Sequence, residues 1–138
     1  MSKVVYISYD GQSQVLPYVT GLADRGHHME LISFEKPGNP TSYRKPIHPG
    51  VRWTGLRYHK EPTLPATGFD MSQGALATAL IGGMQGADLI HVRSYVSATL
   101  ALWPSFVLRR PMLFDMRGRW PDERIVRLLS AAGLVRRV

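Results

Sequence analysis

The 138-residue sequence contains no cysteine, which excludes disulfides and every thiolate-bound metal site. It has no uninterrupted apolar run of the length a bilayer span needs. Its opening residues, MSKVVYISYD, carry one lysine and then a β-branched run, without the small-residue cleavage site of a secretory signal. Acidic residues are scarce: 10 Asp and Glu face 17 Lys and Arg, for a formal charge of +7. Much of that excess sits at one end. From Arg109 onward there are eight arginines against Asp115, Asp122 and Glu123. A basic end suits an anionic partner, whether nucleic acid, phosphate or lipid headgroup, and equally suits a solvated face that binds nothing. Hydrophobic residues make up 44% of the chain, the balance of an ordinary globular domain. Cytoplasmic residence is the expectation.

The order of the periodic segments sets the fold class. Residues Lys3 to Ser8 form a strand pattern that ends at the turn dipeptide Asp10-Gly11. Val15, Leu16, Val19, Leu22 and Ala23 then recur at helical spacing, with Ser13 or Gln14 as the start and Gly26 as the stop. Pro17 is tolerable because it stands near the first turn. Met29 to Phe34 is a second strand, completing a β-α-β unit with a right-handed crossover. Residues 36–50 read as a long Pro- and Gly-bearing loop, and Val51 to Tyr58 alternates like a strand. Residues 59–68 read as another Pro-rich loop, followed by a helix from Phe69 to about Met84 that Gly74, Gly82 and Gly83 weaken. Ala87 to Val92 is a buried-type strand. Ser94 is placed to cap a helix running to Leu108 and kinked at Pro104. Met112 to Phe114 is a last strand, and Pro121-Asp122-Glu123 opens a final helix. Strands alternating with helices predict an α/β, Rossmann-like open sheet, mainly parallel, with helices on both faces.

Ligands of such sheets bind beyond the carboxyl ends of the strands. That nominates residues 8–13 after the first strand, Arg93-Ser94-Tyr95 after the fourth and Asp115-Met116-Arg117-Gly118 after the fifth. Gly11 allows a sharp turn, and the helix start behind it offers free N–H groups to a phosphate. Asp115 and Arg117 share a strand face. There Asp115 can orient or deprotonate a hydroxyl and Arg117 can stabilise phosphate charge, unless the two form a plain surface ion pair. The five histidines (27, 28, 48, 59 and 91) show no metal-ligand spacing, so neither metal nor organic cofactor is expected.

The runs Ser8–Tyr18, Gly21–His27, Leu31–Pro37, Leu56–Lys60, Ile90–Tyr95 and Phe114–Arg124, in this order, resemble the N-terminal domain of bacterial family 4 glycosyltransferases of the GT-B fold. The resemblance implies retaining transfer from a nucleotide-sugar donor to a cell-surface glycan or lipid-linked acceptor. It implies that residues 1–138 are the acceptor-side domain, incomplete at its C-terminal end, with the donor-binding C-terminal domain absent and the fragment alone inactive. By the same analogy, Gly11 and Gln12 approach the donor phosphate or sugar, and Tyr9, Arg93, Ser94 and Tyr95 face the acceptor. Asp115 falls where many relatives carry a cleft-facing His or Asp, which makes Asp115 and Arg117 the catalytic candidates. Peripheral association with the inner face of a membrane and homodimerisation of the fragment are further expectations; a nucleic-acid partner is not. Two rival readings remain. One is an NAD(P)- or flavin-binding Rossmann domain, with Glu35 at the ribose but only Gly11 of the three fingerprint glycines. The other is a non-enzymatic basic module on nucleic acid or membrane.

Overall fold

The structure, a computed structural model, describes residues 1–8, 12–35, 46–59 and 63–116. The elements run β1 (Lys3–Ser8), α1 (Gln12–Asp24), β2 (His28–Glu35), β3 (Val51–Arg57), α2 (Thr63–Gln85), β4 (Leu89–Arg93), α3 (Tyr95–Leu108) and β5 (Met112–Asp115). All five strands pair in parallel, in the order β3-β2-β1-β4-β5. The chain starts in the middle of the sheet, builds outward to β3, then crosses back to β4. The order therefore reverses between β1 and β4.

The strands alternate two apolar surfaces. Val5, Ile7, Ile32, Phe34, Ile90 and Val92 face α2 and α3, joined by Leu100 and Ala101. Val4, Tyr6, Met29, Leu31 and Val51 face α1, which contributes Val15, Val19 and Ala23. A fully buried Ile32 or Val92 contributes about 1.5–3 kcal/mol by leaving water, so each face is stabilised mainly by its aliphatic rows. The helices stop in a common way. Gly26 (φ 87°) and Gly86 (φ 63°) take the left-handed conformation after α1 and α2, so the following N–H groups satisfy the last carbonyls: His27 N–H to Leu22 and Ala87 N–H to Gly82. Arg109 (φ 52°) does the same after α3, with Arg110 N–H reaching the Ser105 carbonyl.

Three expectations are corrected. Residues 63–68 are not loop, because α2 already begins at Thr63; Pro65 falls in the first turn, where the N–H it lacks would have had no partner anyway. The glycines within α2 are packing positions. A Cβ on Gly74 would lie 2.8 Å from Phe34 Cζ and one on Gly82 2.9 Å from Leu108 Cδ1, so these residues let α2 lie close to sheet and neighbour. Ser94 stands at the N-cap position of α3, but its side chain makes no capping hydrogen bond. The expected final helix from Pro121 lies outside the described residues.

Candidate functional site

On the α1 side of the sheet, the last row before the strands end is polar. Ser33, Ser8, Arg93 and Asp115 are successive register partners across β2, β1, β4 and β5. The row behind it holds Trp53, Leu31, Tyr6, His91 and Leu113. This polarity follows from period-2 alternation: each polar residue stands next to an apolar neighbour on the other face. The Ser8–Arg93 pair spans the point where strand order reverses.

Ser8 and Arg93 are buried, and Asp115 is half-buried. Arg93 lies close enough to the Tyr6 hydroxyl to act on its ionisation. Burial pushes that hydroxyl above its usual pKa, while the Arg93 charge pulls the other way. Tyr6 also packs against His91, with centroids 4.6 Å apart, and Tyr18 of α1 closes over both at 5.6 and 5.5 Å. Burial pushes the His91 pKa down; Asp115 opposes and Arg93 reinforces the shift. His91 Nε2 finds no hydrogen-bond partner among the described residues. On the other side of Ser8, Trp53 Nε1 donates to Ser33 Oγ (2.7 Å), which donates to Glu35 Oε1 (2.6 Å).

The lowered His91 pKa has a stability consequence with a definite sign. The folded state binds the proton more weakly than the unfolded chain, so stability is full above about pH 6.5 and drains as the pH falls from there through the folded value. Glu30, pushed up by burial against the opposing pull of Arg52 and His28, acts with the opposite sign. Melting curves of the protein and of His91→Gln between about pH 7 and 5 separate the two. The variant is expected to lose less stability on acidification; parallel curves would remove His91 from the account.

Between β4 and α3 the backbone is strained. Ser94 has φ 82° and ψ 160°, a region essentially reserved for glycine. Its N–H donates to the Asp115 carbonyl at 3.3 Å, so the turn ties the end of β4 to the end of β5. Tyr95, partly exposed, packs on Phe114 at 5.4 Å and its hydroxyl reaches Met116 Sδ at 3.3 Å.

The structure thus brings Arg93, Ser94, Tyr95 and Asp115 together at one rim. Tyr9, Gly11 and Arg117, and the side chain of Gln12, lie outside the described residues. Gln12 is the first residue of α1, so that helix does start at the same rim. Sequence reasoning passes over Tyr6 and His91, although the alternation Tyr6/Ser8 and His91/Arg93 against Ile7 and Val92 carries the signal. No three His, Asp or Glu residues gather among those described. A hollow of about 480 Å³ lies at the opposite, amino end of the sheet, lined by Lys3, His28, Glu30, His48 and Arg52 among others. Among the described residues no helix begins at that edge, whereas α1 begins at the carboxyl rim, where free N–H groups favour anions; the carboxyl rim is the candidate site.

Comparison with known proteins agrees with this architecture. The model of the glycosyl transferase 4-like domain matches residues 11–138. No curated protein matches the sequence. Among solved structures, the C-terminal domain of the PF1911 hydrogenase from Pyrococcus furiosus is similar with a TM-score of 0.65 at 12% identity, over 83% of this chain and 91% of that one. A glycosyltransferase from Rickettsia africae ESF-5 is similar with a TM-score of 0.59 at 14% identity, over 83% of this chain and 29% of its own. CalG4, the calicheamicin glycosyltransferase, gives 0.62 at 12% identity, over 99% and 38%. At these identities the likeness is one of fold, which a hydrogenase domain shares. The chain spans well under half the length of either glycosyltransferase.

Proposed function

Because the chain belongs to the glycosyl transferase 4-like family, we propose that it forms the acceptor-side domain of a retaining transferase moving a sugar from a nucleotide-sugar to a cell-surface glycan or lipid-linked acceptor. The observation that carries this reading is the polar row Ser8–Arg93–Asp115 at the strand-order reversal, beside the start of α1. Glycosyl transfer breaks the anomeric C–O bond to a diphosphate and makes one to an acceptor hydroxyl. Asp115 is the group assigned to orient that hydroxyl or take its proton, and Arg117, two residues further along the sequence, is assigned to phosphate charge. Gly11 and Gln12, at the start of α1, are assigned to the donor phosphate or sugar. Tyr9, Arg93, Ser94 and Tyr95 are assigned to the acceptor. Neither metal nor organic cofactor enters this reading, and no nucleic acid does. The setting is the cytoplasm, with peripheral contact to the inner face of a membrane where the acceptor is lipid-linked.

The reading makes residues 1–138 dependent on a donor-binding second domain. Nucleoside diphosphate release is measured with a panel of nucleotide-sugars for the purified 138-residue chain and for the product of the reading frame continued past Val138. The shorter chain is expected to give none. The longer product is expected to turn over, and Asp115→Ala within it to lose about a hundredfold in kcat/KM. Turnover by the 138-residue chain alone would refute the division of labour. Tight NADH binding with no sugar transfer would favour the dinucleotide reading instead.

A further inference from the structure

A second polar group stands at the carboxyl edge, on the α2 side of the sheet. β3 ends at Arg57, and the Tyr58 N–H donates to the carbonyl of Glu35, the last residue of β2, at 3.0 Å. His59 therefore lies just past the carboxyl ends of both strands. Asp70 reaches it from α2, one turn before Gly74, where a Cβ would touch the Phe34 ring near the end of β2. Asp70 is fully buried; its Oδ1 meets His59 Nδ1 at 2.6 Å and its Oδ2 accepts the His59 backbone N–H at 2.8 Å. A carboxylate only accepts, so Nδ1 carries the ring proton and Nε2 presents a lone pair. A third of the His59 side chain is exposed, and Nε2 has no hydrogen bond to a described residue. Phe69, 54% exposed, stands T-shaped to the imidazole at 5.5 Å.

A tie between the two chain segments needs only the bonds to Asp70. Asparagine at position 59 would supply the same backbone N–H and a side-chain amide N–H in the place of Nδ1. What histidine adds is a hydrogen-bond acceptor held in one direction by a buried carboxylate. What Phe69 adds is an accessible apolar ring beside it. An anion has no proton to offer that lone pair. A pyranose ring has both hydroxyl donors and an apolar C–H face, and so suits a directed acceptor next to an aromatic ring. Neighbouring strands lie about 4.8 Å apart, which sets β3 about 10 Å from β1 and about 19 Å from β5 across the sheet. That is too far for His59 and Asp115 to meet one sugar ring. We propose that His59 and Phe69 form a subsite for a second sugar ring of the acceptor, remote from the one that Asp115 meets, so that the acceptor is an extended glycan. The transferase reading is the premise for the identity of this ligand. Binding a sugar here needs neither donor nor second domain, so it and turnover fail separately.

The test is an NMR titration of the isotope-labelled 138-residue chain with the methyl glycosides of glucose, galactose, mannose and N-acetylglucosamine. At least one glycoside is expected to shift the ring signals of His59 and Phe69. His59→Asn keeps the bonds to Asp70 and loses Nε2. It is expected to hold the urea midpoint of the parent chain and to bind that glycoside about tenfold more weakly. Phe69→Ala leaves both Asp70 bonds in place and is expected to weaken binding by a similar factor, about tenfold. Urea unfolding confirms that each variant is folded. The proposal is overturned if no glycoside moves the His59 and Phe69 signals, or if either variant binds like the parent. Shifts confined to Arg93, Tyr95 and Asp115 would also overturn it, since the sugar would then be held at the polar row alone.

Discussion

Asp70→Ala is expected to cost about 3 kcal/mol of folding stability, lowering Tm by roughly 10 °C in a domain of this size. Asp70 is fully buried on α2, and both of its oxygens are used by one residue. Oδ2 accepts the His59 backbone N–H at 2.8 Å and Oδ1 meets His59 Nδ1 at 2.6 Å. A carboxylate oxygen only accepts, so Nδ1 is the protonated ring nitrogen. These bonds fasten the chain leaving β3 to the first turns of α2, and Phe69 closes on the imidazole edge at 5.5 Å. Charge-assisted bonds of this kind are worth about 1.5–3 kcal/mol each. Since a third of the His59 side chain is exposed, water recovers part of the loss. Asp70→Asn keeps an acceptor for the backbone N–H and is expected to cost about half as much. Urea unfolding of Asp70→Ala, His59→Ala and the double variant gives the coupling directly. A loss below about 0.5 kcal/mol in Asp70→Ala would show that this pair holds nothing together.

The Asp70–His59 pair also shows what is legible in the sequence and what is not. The β-α-β opening, the strands and the parallel doubly wound class are readable because β-branched runs, helical spacing and the Gly26 stop are local signals. The rim is readable as well: Arg93, Ser94, Tyr95 and Asp115 stand out as strand-end residues, and the sheet sets them side by side. The start of α2 is not readable, because Pro65 and Gly68 look like loop chemistry when the buried carboxylate that fixes the preceding loop is out of view. Alternation puts Tyr6 on the face of Ser8 and His91 on that of Arg93, but that the two rings meet is not readable from it. Their neighbours across β1 and β4 come from register, and register depends on pairing segments some eighty residues apart. Gly74 and Gly82 read as weakness for the same reason, since the Phe34 and Leu108 side chains that exclude a Cβ are distant in sequence.

Ser94→Gly is expected to stabilise the chain by about 1–3 kcal/mol, the cost of holding a residue with a Cβ at φ 82°, ψ 160°. The more flexible unfolded chain gives back up to about 1 kcal/mol of that. Nothing in local chemistry calls for serine at this point. The hydroxyl does not cap α3, and the N–H bond to the Asp115 carbonyl and the carbonyl's bond from Ala98 N–H are backbone interactions that glycine makes equally well. A strained serine kept between Arg93 and the first turn of α3, where the strand order reverses, is what a ligand-facing hydroxyl would look like. The expected result is therefore a split. Ser94→Gly raises the urea midpoint of the 138-residue chain, and in the longer product it raises KM for the acceptor with little change in kcat, as loss of a ground-state contact should. Ser94→Ala removes the hydroxyl but keeps the strain, so it is expected to share the KM change without the gain in stability. If Ser94→Gly melts with the parent chain, the turn is unstrained. If both variants keep the parent KM, the Ser94 hydroxyl does not touch the acceptor.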